Sequence, residues 1–136
     1  MRKNLVAILS LLLTVNLSAF DKVYEDTLDD FEDLIVKENG VKINNFSFAE
    51  KDAFLTSGLL KIEVSFSLQN KNDSSKHFTA MIVGRNGTNI LWAISAEPMM
   101  STVKANQTET VKGSAYVSPG TLKRTKSIWL RIVGDI

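Results

Sequence analysis

Residues 60–68 carry the pattern that most constrains the fold of this chain. Five apolar residues alternate with four polar ones, in the order Leu60, Lys61, Ile62, Glu63, Val64, Ser65, Phe66, Ser67 and Leu68. Successive side chains of a β-strand point to opposite faces, so the alternation puts every apolar side chain on one face. The pattern predicts a strand with one face on a core and the other in water.

This strand begins a predicted three-stranded meander over Leu59–Pro98. A polar turn at Asn70–Ser75 leads into a second strand at about His77–Arg85. Asn86-Gly87 is a strong hairpin signal, because both central residues of a tight type I′ turn need positive φ. The third strand is expected at Asn89–Ala96.

More strands are predicted on both sides of the meander. Val41–Phe48 changes its alternation at Asn44-Asn45, which indicates a bulge or bend. Gln107–Val117 and Ser127–Gly134 complete the set. Short hairpins and one long crossing loop favour an antiparallel sandwich with Greek-key character over residues 41–136. The predicted fold is mainly β with six or seven strands, and a small barrel is the alternative.

Residues 20–40 are predicted to form one acidic amphipathic helix before the sandwich. Apolar residues recur there at spacings of three or four, and eight acidic residues stand against two lysines. Asn39-Gly40 is a suitable helix end. The helix could cover the sandwich or dock on another protein, so its apolar stripe is a candidate binding surface. The stripe consists of Phe20, Tyr24, Leu28, Phe31 and Ile35.

The first nineteen residues have the composition of a secretory signal peptide. A basic start, Met1-Arg2-Lys3, precedes an apolar run at Leu5–Leu17 and the small residue Ala19. The run is shorter than the roughly twenty residues of a membrane-spanning helix. We expect cleavage after Ala19 and a periplasmic or extracellular protein with no remaining membrane span. An uncleaved N-terminal anchor is the alternative.

The chain offers little for catalysis or metal binding. It has no cysteine, which excludes thiolate metal sites and a cysteine nucleophile. Asp73–His77 contains the residue types of a hydrolase, but packed into five residues, and is interpreted as a polar turn. His77 with Met81, Met99 and Met100 suggests a soft site for Cu(I). His77 and Met81 would lie about 13 Å apart on a strand. The sequence therefore predicts no catalytic residue, metal or cofactor.

Three aromatic residues are candidates for ligand binding. Trp92 is in phase with apolar neighbours on its strand and is predicted to be core. Trp129 falls on the opposite face from its apolar neighbours, beside Arg131, where it could form a ligand platform or a cation–π pair. Tyr116 could join it. The alternative is a Trp129 covered by the helix or a loop. Basic residues are dispersed, so nucleic acid is not an expected partner.

Three segments of residues 59–117 have a recognisable arrangement: a strand that ends in an Asn-containing turn at Phe66–Asn70, a hairpin entry at Met81–Gly87 and a loop before a strand at Ala105–Thr110. In this arrangement the chain resembles the FxLYD type of exported bacterial β-domain. Ala105-Asn106 departs from the family's Pro-Gly, and Val83-Gly84-Arg85 from its aromatic-Asp entry. The resemblance implies an immunoglobulin-like or fibronectin-like sandwich that serves as an adhesion, scaffold or binding module, with no catalytic residues.

The predicted function is therefore a non-enzymatic exported module that binds another exported or envelope protein. The alternative is a domain that binds a carbohydrate or small ligand through exposed aromatics on its last strands. The sequence makes no prediction of the oligomeric state.

Overall fold

The structure is a computed structural model that describes residues 20–53 and 58–135, so the predicted signal peptide lies outside the described residues. Two one-turn α-helices, α1 (Leu28–Phe31) and α2 (Thr121–Arg124), and a one-turn 3-10 helix (Met99–Ser101) connect the strands. The described strands are β1 (Phe20–Thr27), β2 (Val36–Glu38), β3 (Val41–Asp52), β4 (Leu60–Asn70), β5 (Lys76–Asn86), β6 (Asn89–Ala96), β7 (Thr102–Val103), β8 (Thr108–Val117) and β9 (Ser127–Gly134).

The strands form two antiparallel sheets. Sheet A has the order β1-β9-β5-β6, and the short β7 also pairs with β5. Sheet B has the order β2-β3-β4-β8. The inner faces of the two sheets form one apolar core. The prediction of a mainly β, antiparallel sandwich is confirmed at this level.

The alternation of β4 is confirmed, but the meander is not. Ile62, Val64, Phe66 and Leu68 are at most 1% exposed. However, β4 belongs to sheet B, whereas β5 and β6 form a hairpin in sheet A. The chain crosses between the sheets at residues 71–75. This segment is long enough to span the ~10 Å that separates packed sheets.

Buried Asn70 holds this crossing in place. Its amide nitrogen lies 2.9 Å from the carbonyl oxygen of Ser74 and 3.3 Å from those of Val103 and Lys104. Its side-chain oxygen accepts the backbone N–H of Asn72 at 2.9 Å. The side chain thereby satisfies buried backbone groups that the sheets leave unpaired where the chain changes sheet.

The predicted N-terminal helix is wrong. Residues 20–27 form β1, only α1 is helical, and β2 follows. β1 pairs along its whole length with β9, from Phe20–Gly134 to Thr27–Ser127. Tertiary pairing with an otherwise open edge overrides a helical spacing of apolar residues, especially for β-favouring residues such as Val23 and Tyr24. Residues 20–40 therefore contribute β1 to sheet A and β2 to sheet B.

Two turn signals have a different outcome from the one predicted. Asn39-Gly40 is not a helix end but the tight turn of the β2–β3 hairpin, with φ of 48° and 79°. Asn86-Gly87 does mark a hairpin, but Asn86 pairs with Asn89, so the central residues are Gly87 and Thr88. Positive φ occurs only at Gly87 there, as in a type II′ turn. The predicted bulge is confirmed, since the register of β3 shifts between Asn44 and Ser47.

Hydrogen bonds with β3 and β6 hold the connection between β8 and β9 in position. The Glu50 carboxylate accepts the backbone N–H groups of Gly120 and Leu122, both at 3.1 Å. Trp92, 4% exposed, is core as predicted, and its Nε1 donates to Thr125 Oγ1 at 2.9 Å. These contacts fix the start of β9 and, with it, the position of Trp129.

No helix within residues 20–53 and 58–135 has the length and apolar character to cross a membrane.

Candidate functional site

The apolar stripe predicted for docking does not exist as a surface. Phe31 is fully buried, and its ring meets that of Phe46 edge-on with centroids 5.1 Å apart. Tyr24 and Leu28 are partly buried and pack against the core. Ile35 remains exposed at 57%. Because these residues are divided between β1, the one-turn helix α1 and the segment before β2, they present no common face to a partner.

Tyr116 and Trp129 lie on opposite sides of the molecule. Tyr116 is on β8 and faces outward from sheet B, where it is 67% exposed. Trp129 is on β9 and faces outward from sheet A, as its phase predicts. The two rings therefore cannot form one binding platform, and Trp129 has other neighbours.

Trp129 lies in an open groove on the outer face of sheet A. The groove, about 430 Å³ in volume, is lined by Met81, Val83, Arg85, Ile90 and Trp129. Val83 lies directly opposite Trp129 in the β5–β9 pairing. Met81 is 47% and Ile90 67% exposed, so much of the lining is apolar surface in contact with water.

Ion pairs border the groove on the side of β1. Arg131 makes a two-point contact with Asp21, with Nε–Oδ1 at 2.9 Å and Nη2–Oδ2 at 2.7 Å. The hydrogen bond from Arg131 holds the pKa of the Asp21 carboxyl below its usual value, and the same pairing raises the pKa of Arg131. Arg131 therefore forms an ion pair with Asp21, whereas the sequence suggested a cation–π pair with Trp129.

Arg85 is the polar group that faces the groove. Its Nη2 donates to Glu25 Oε1. Its Nε is buried and has no hydrogen-bond partner among residues 20–53 and 58–135. A buried donor without a partner costs about 1–3 kcal/mol, so Arg85 is an exception in a well-satisfied structure.

Strand β6 forms the edge of sheet A next to this groove. Its sequence from Asn89 to Ala96 contains no charged residue, proline or glycine. The other edges differ: β1 has four charged residues in eight, β2 is three residues long, and β8 carries Glu109, Lys112 and Gly113. Charges and short length protect edge strands from pairing with other chains, and β6 lacks both.

Among residues 20–53 and 58–135, strand β8 covers the β6 edge toward Ala96. Gly113 of β8 approaches it so closely that a Cβ there would lie 2.9 Å from the Ser95 carbonyl oxygen. Asn89, Ile90 and Ala93, nearer the hairpin, are exposed. The open part of the edge is therefore the part that borders the groove.

One bulge makes this site unpredictable from strand alternation. The alternation Ile90, Trp92, Ile94 predicts three core residues, but the β5–β6 register shifts between Gly84 and Arg85. The shift turns Ile90 outward, opposite Arg85, while Trp92 and Ile94 stay buried. Gly84 was the available signal, because a glycine within a strand often marks a bulge.

Comparison with known proteins finds similarity to a β-sandwich protein. No family model matches the chain, and neither does any curated protein. Among solved structures, the chain is similar to an uncharacterised β-sandwich protein from Clostridium difficile 630, at 12% identity and a TM-score of 0.44. The match covers 72% of this chain and 82% of that chain.

Proposed function

We propose that this chain is a non-enzymatic protein-binding module that takes an extended segment of a partner protein onto the β6 edge. The supporting observation is an uncharged, unpaired edge strand that borders an apolar groove. Backbone hydrogen bonds to an added strand supply affinity, and pockets for its alternate side chains supply specificity. The module therefore needs no cofactor and no catalytic residue.

The groove determines the chemistry of the bound segment. An added strand along Asn89–Ala93 would direct every second side chain to the outer face of sheet A, where Ile90, Met81 and Trp129 lie. A large apolar side chain fits this lining. Arg85 and Arg131 already have acidic partners, so an uncharged segment is favoured over an acidic one.

The test compares two lysine substitutions at equally exposed positions. Ile90, in the groove, and Tyr116, on the opposite face, are both 67% exposed. The full chain and the variants Ile90→Lys and Tyr116→Lys would each serve as bait in an envelope extract. We expect one protein to be retained by the wild type and by Tyr116→Lys, and to be lost with Ile90→Lys.

Backbone pairing would be tested with Ala93→Pro, which removes one edge N–H. A partner captured equally by Ile90→Lys and by wild type contradicts the proposal. Sedimentation of the wild type gives the remaining outcome. A dimer that Ile90→Lys dissociates would mean that the edge binds a second copy of this chain and not another protein.

A second candidate function is binding of a small ligand, such as a carbohydrate, in the same groove. The observation in its favour is that Arg85, whose Nε has no partner among the described residues, and Trp129 line the same groove. Because this Nε is buried, the Arg85 side chain would have to turn toward the groove to donate to a ligand oxygen, and the indole would stack on the ligand. Trp129 emission should then respond to a ligand panel and the response should disappear in Arg85→Lys. Unchanged emission across the panel would exclude this function.

The proposal includes export and an immunoglobulin-like connectivity. Export rests on the basic start and the apolar run Leu5–Leu17. For the connectivity, the support is the pairing β3–β4–β8 in one sheet and β9–β5–β6 in the other, which matches the order A–B–E and F–C–C′. β1 would then take the position of strand G, although it comes first in the chain. The FxLYD assignment rests on this order and on the turn segments.

A further inference from the structure

The loop between β6 and β7 presents two methionines to solvent. Met99 is 84% and Met100 is 89% exposed, more than any other large apolar side chain of the described residues. A thioether usually fills gaps in a core or at an interface, so two adjacent exposed methionines need another explanation.

The backbone of this loop is strained in a defined way. Met100 has φ 57° and ψ 27°, and Ser101 has φ 55°, both in the left-handed region. Each such residue costs about 1–2 kcal/mol when it is not glycine. Local bonds maintain the shape: the Ser101 N–H donates to the Pro98 carbonyl at 2.8 Å, and the Thr102 hydroxyl donates to that of Met100 at 3.1 Å. Persistent strain of this kind is typical of functional loops.

His77 faces the same cavity with one ring nitrogen oriented and the other free. The cavity, about 560 Å³, is lined by His77, Met99 and Met100 together with Lys104 and Glu109. His77 Nδ1 lies 3.0 Å from Asp135 Oδ2, and the backbone N–H of His77 donates to Asp135 Oδ1. A carboxylate only accepts, so Nδ1 carries the proton, and Nε2 of the neutral ring has its lone pair available.

The position of Asp135 supports this arrangement, because a carboxylate behind a histidine is the common outer partner of a metal-bound imidazole. No residue within 20–53 and 58–135 makes a hydrogen bond to Nε2.

We propose that His77, Met99 and Met100 form a binding site for Cu(I). Thioethers select this soft ion, and a neutral imidazole with two thioethers suits a monovalent cation. The unbranched methionine side chains are flexible enough to turn into the cavity that His77 also lines. Lys104 and Glu109 bring one positive and one negative charge to the lining, so these two side chains give the cavity no net charge. Met81, four residues beyond His77 on β5, takes no part because it lines the groove instead.

The experiment is a competition for Cu(I) between the full chain and a chromophoric chelator under anaerobic conditions. We expect one Cu(I) per chain, with affinity reduced at least 100-fold in Met99→Leu/Met100→Leu and in His77→Gln. Met81→Leu is the matched control, because Met81 is also an exposed methionine but lies outside the cavity, on β5. Its affinity for Cu(I) should stay within twofold of wild type. Circular dichroism would verify that all variants are folded.

X-ray absorption of the copper-loaded chain gives an independent readout. Two sulfur scatterers and one nitrogen scatterer are expected for the wild type, and loss of both sulfurs in the double variant. Equal affinity of wild type and double variant would overturn the proposal, as would a spectrum without sulfur. These outcomes do not test the proposed protein-binding groove, because the copper site and the groove share no residue. Ile90→Lys, which alters the groove, should bind copper with wild-type affinity.

Discussion

Replacing Gly84 with alanine should strongly destabilise the sandwich, although the backbone there suits any residue. A Cβ at Gly84 would lie 2.1 Å from Trp92 Cε2 and 2.2 Å from Nε1. Ordinary carbon contacts begin near 3.5 Å, so the indole would have to retreat by about 1.4 Å. Trp92 is enclosed by the core and cannot retreat that far without disturbing its neighbours.

The expected loss has two parts. Overpacking in a core costs about 1–3 kcal/mol. A retreat of the ring also strains or breaks the 2.9 Å hydrogen bond from Nε1 to Thr125, and a buried donor left alone costs about 1–3 kcal/mol. The free energy of unfolding of Gly84→Ala should therefore fall by about 2–5 kcal/mol, minus a few tenths regained from the stiffer unfolded chain.

The assay is a double-mutant cycle in urea, followed by far-ultraviolet circular dichroism. Trp92→Phe removes the atoms that the new Cβ would meet, so Gly84→Ala should cost less than about 0.5 kcal/mol in that background. Gly87→Ala is the control: it has φ +60° and open space around it, so its cost should be the same in both backgrounds. An equal cost of Gly84→Ala with Trp92 or Phe at position 92 would refute the steric argument.

Three further predictions concern the core, the crossing and the surface charge. Phe31→Ala should lower the free energy of unfolding by about 3–5 kcal/mol, because the ring is fully buried; a loss below 1 kcal/mol in urea titration would mean that residues 20–38 are not part of the core. Asn70→Ala should cost about 2–4 kcal/mol because the carbonyls of Ser74, Val103 and Lys104, which are buried or partly buried, lose this donor. Asn70→Asp should be more destabilising, relative to wild type, at neutral pH than at pH 3, as thermal melts would show, because it then buries a charge. The pKa values of Asp21 and Glu63 are lowered in the folded state by hydrogen bonds from Arg131 and Lys51, so these groups stabilise the fold above the unfolded values of 3.8 and 4.5. This stability is lost as the pH falls through the lowered pKa values of the folded state. The double variant Asp21→Asn/Glu63→Gln should therefore show a smaller drop in melting temperature from pH 5 to pH 2 than wild type. An identical drop would contradict the ion-pair interpretation.

The sheet-forming residues were predictable where alternation is local. β4, β8 and β9 follow from period-two patterns, and the bulge at Asn44-Asn45 follows from a change of phase. Residues 20–39 were not predictable in the same way. Their apolar spacing suits a helix, and the strand β1 exists because β9, more than a hundred residues later, offers an unpaired edge. Such a partner is invisible to any local pattern.

The neighbours of the candidate site residues also depend on strand pairing that a local sequence pattern does not reveal. Trp129 was placed on an outer face by its phase, and the structure agrees. Its neighbours come from β5 and β6, and which of their residues face outward depends on the register shift at Gly84. Likewise His77 and Met99–Met100 share a cavity because β7 returns beside β5, a pairing of only two residues. Sequence spacing could separate Met81 from His77, but it could not bring the loop methionines to the histidine.

The pairing of β1 with β9 also sets the order in which the molecule can be assembled. Phe20 lies opposite Gly134, so the first described strand waits for a partner made 114 residues later. Closing so long a loop is slow, and contacts of this separation delay folding. Until β9 is available, β1 lacks its pairing partner and Phe20 lacks its place in the core. Sheet A can therefore be completed only after the last strand of the described chain has been synthesised.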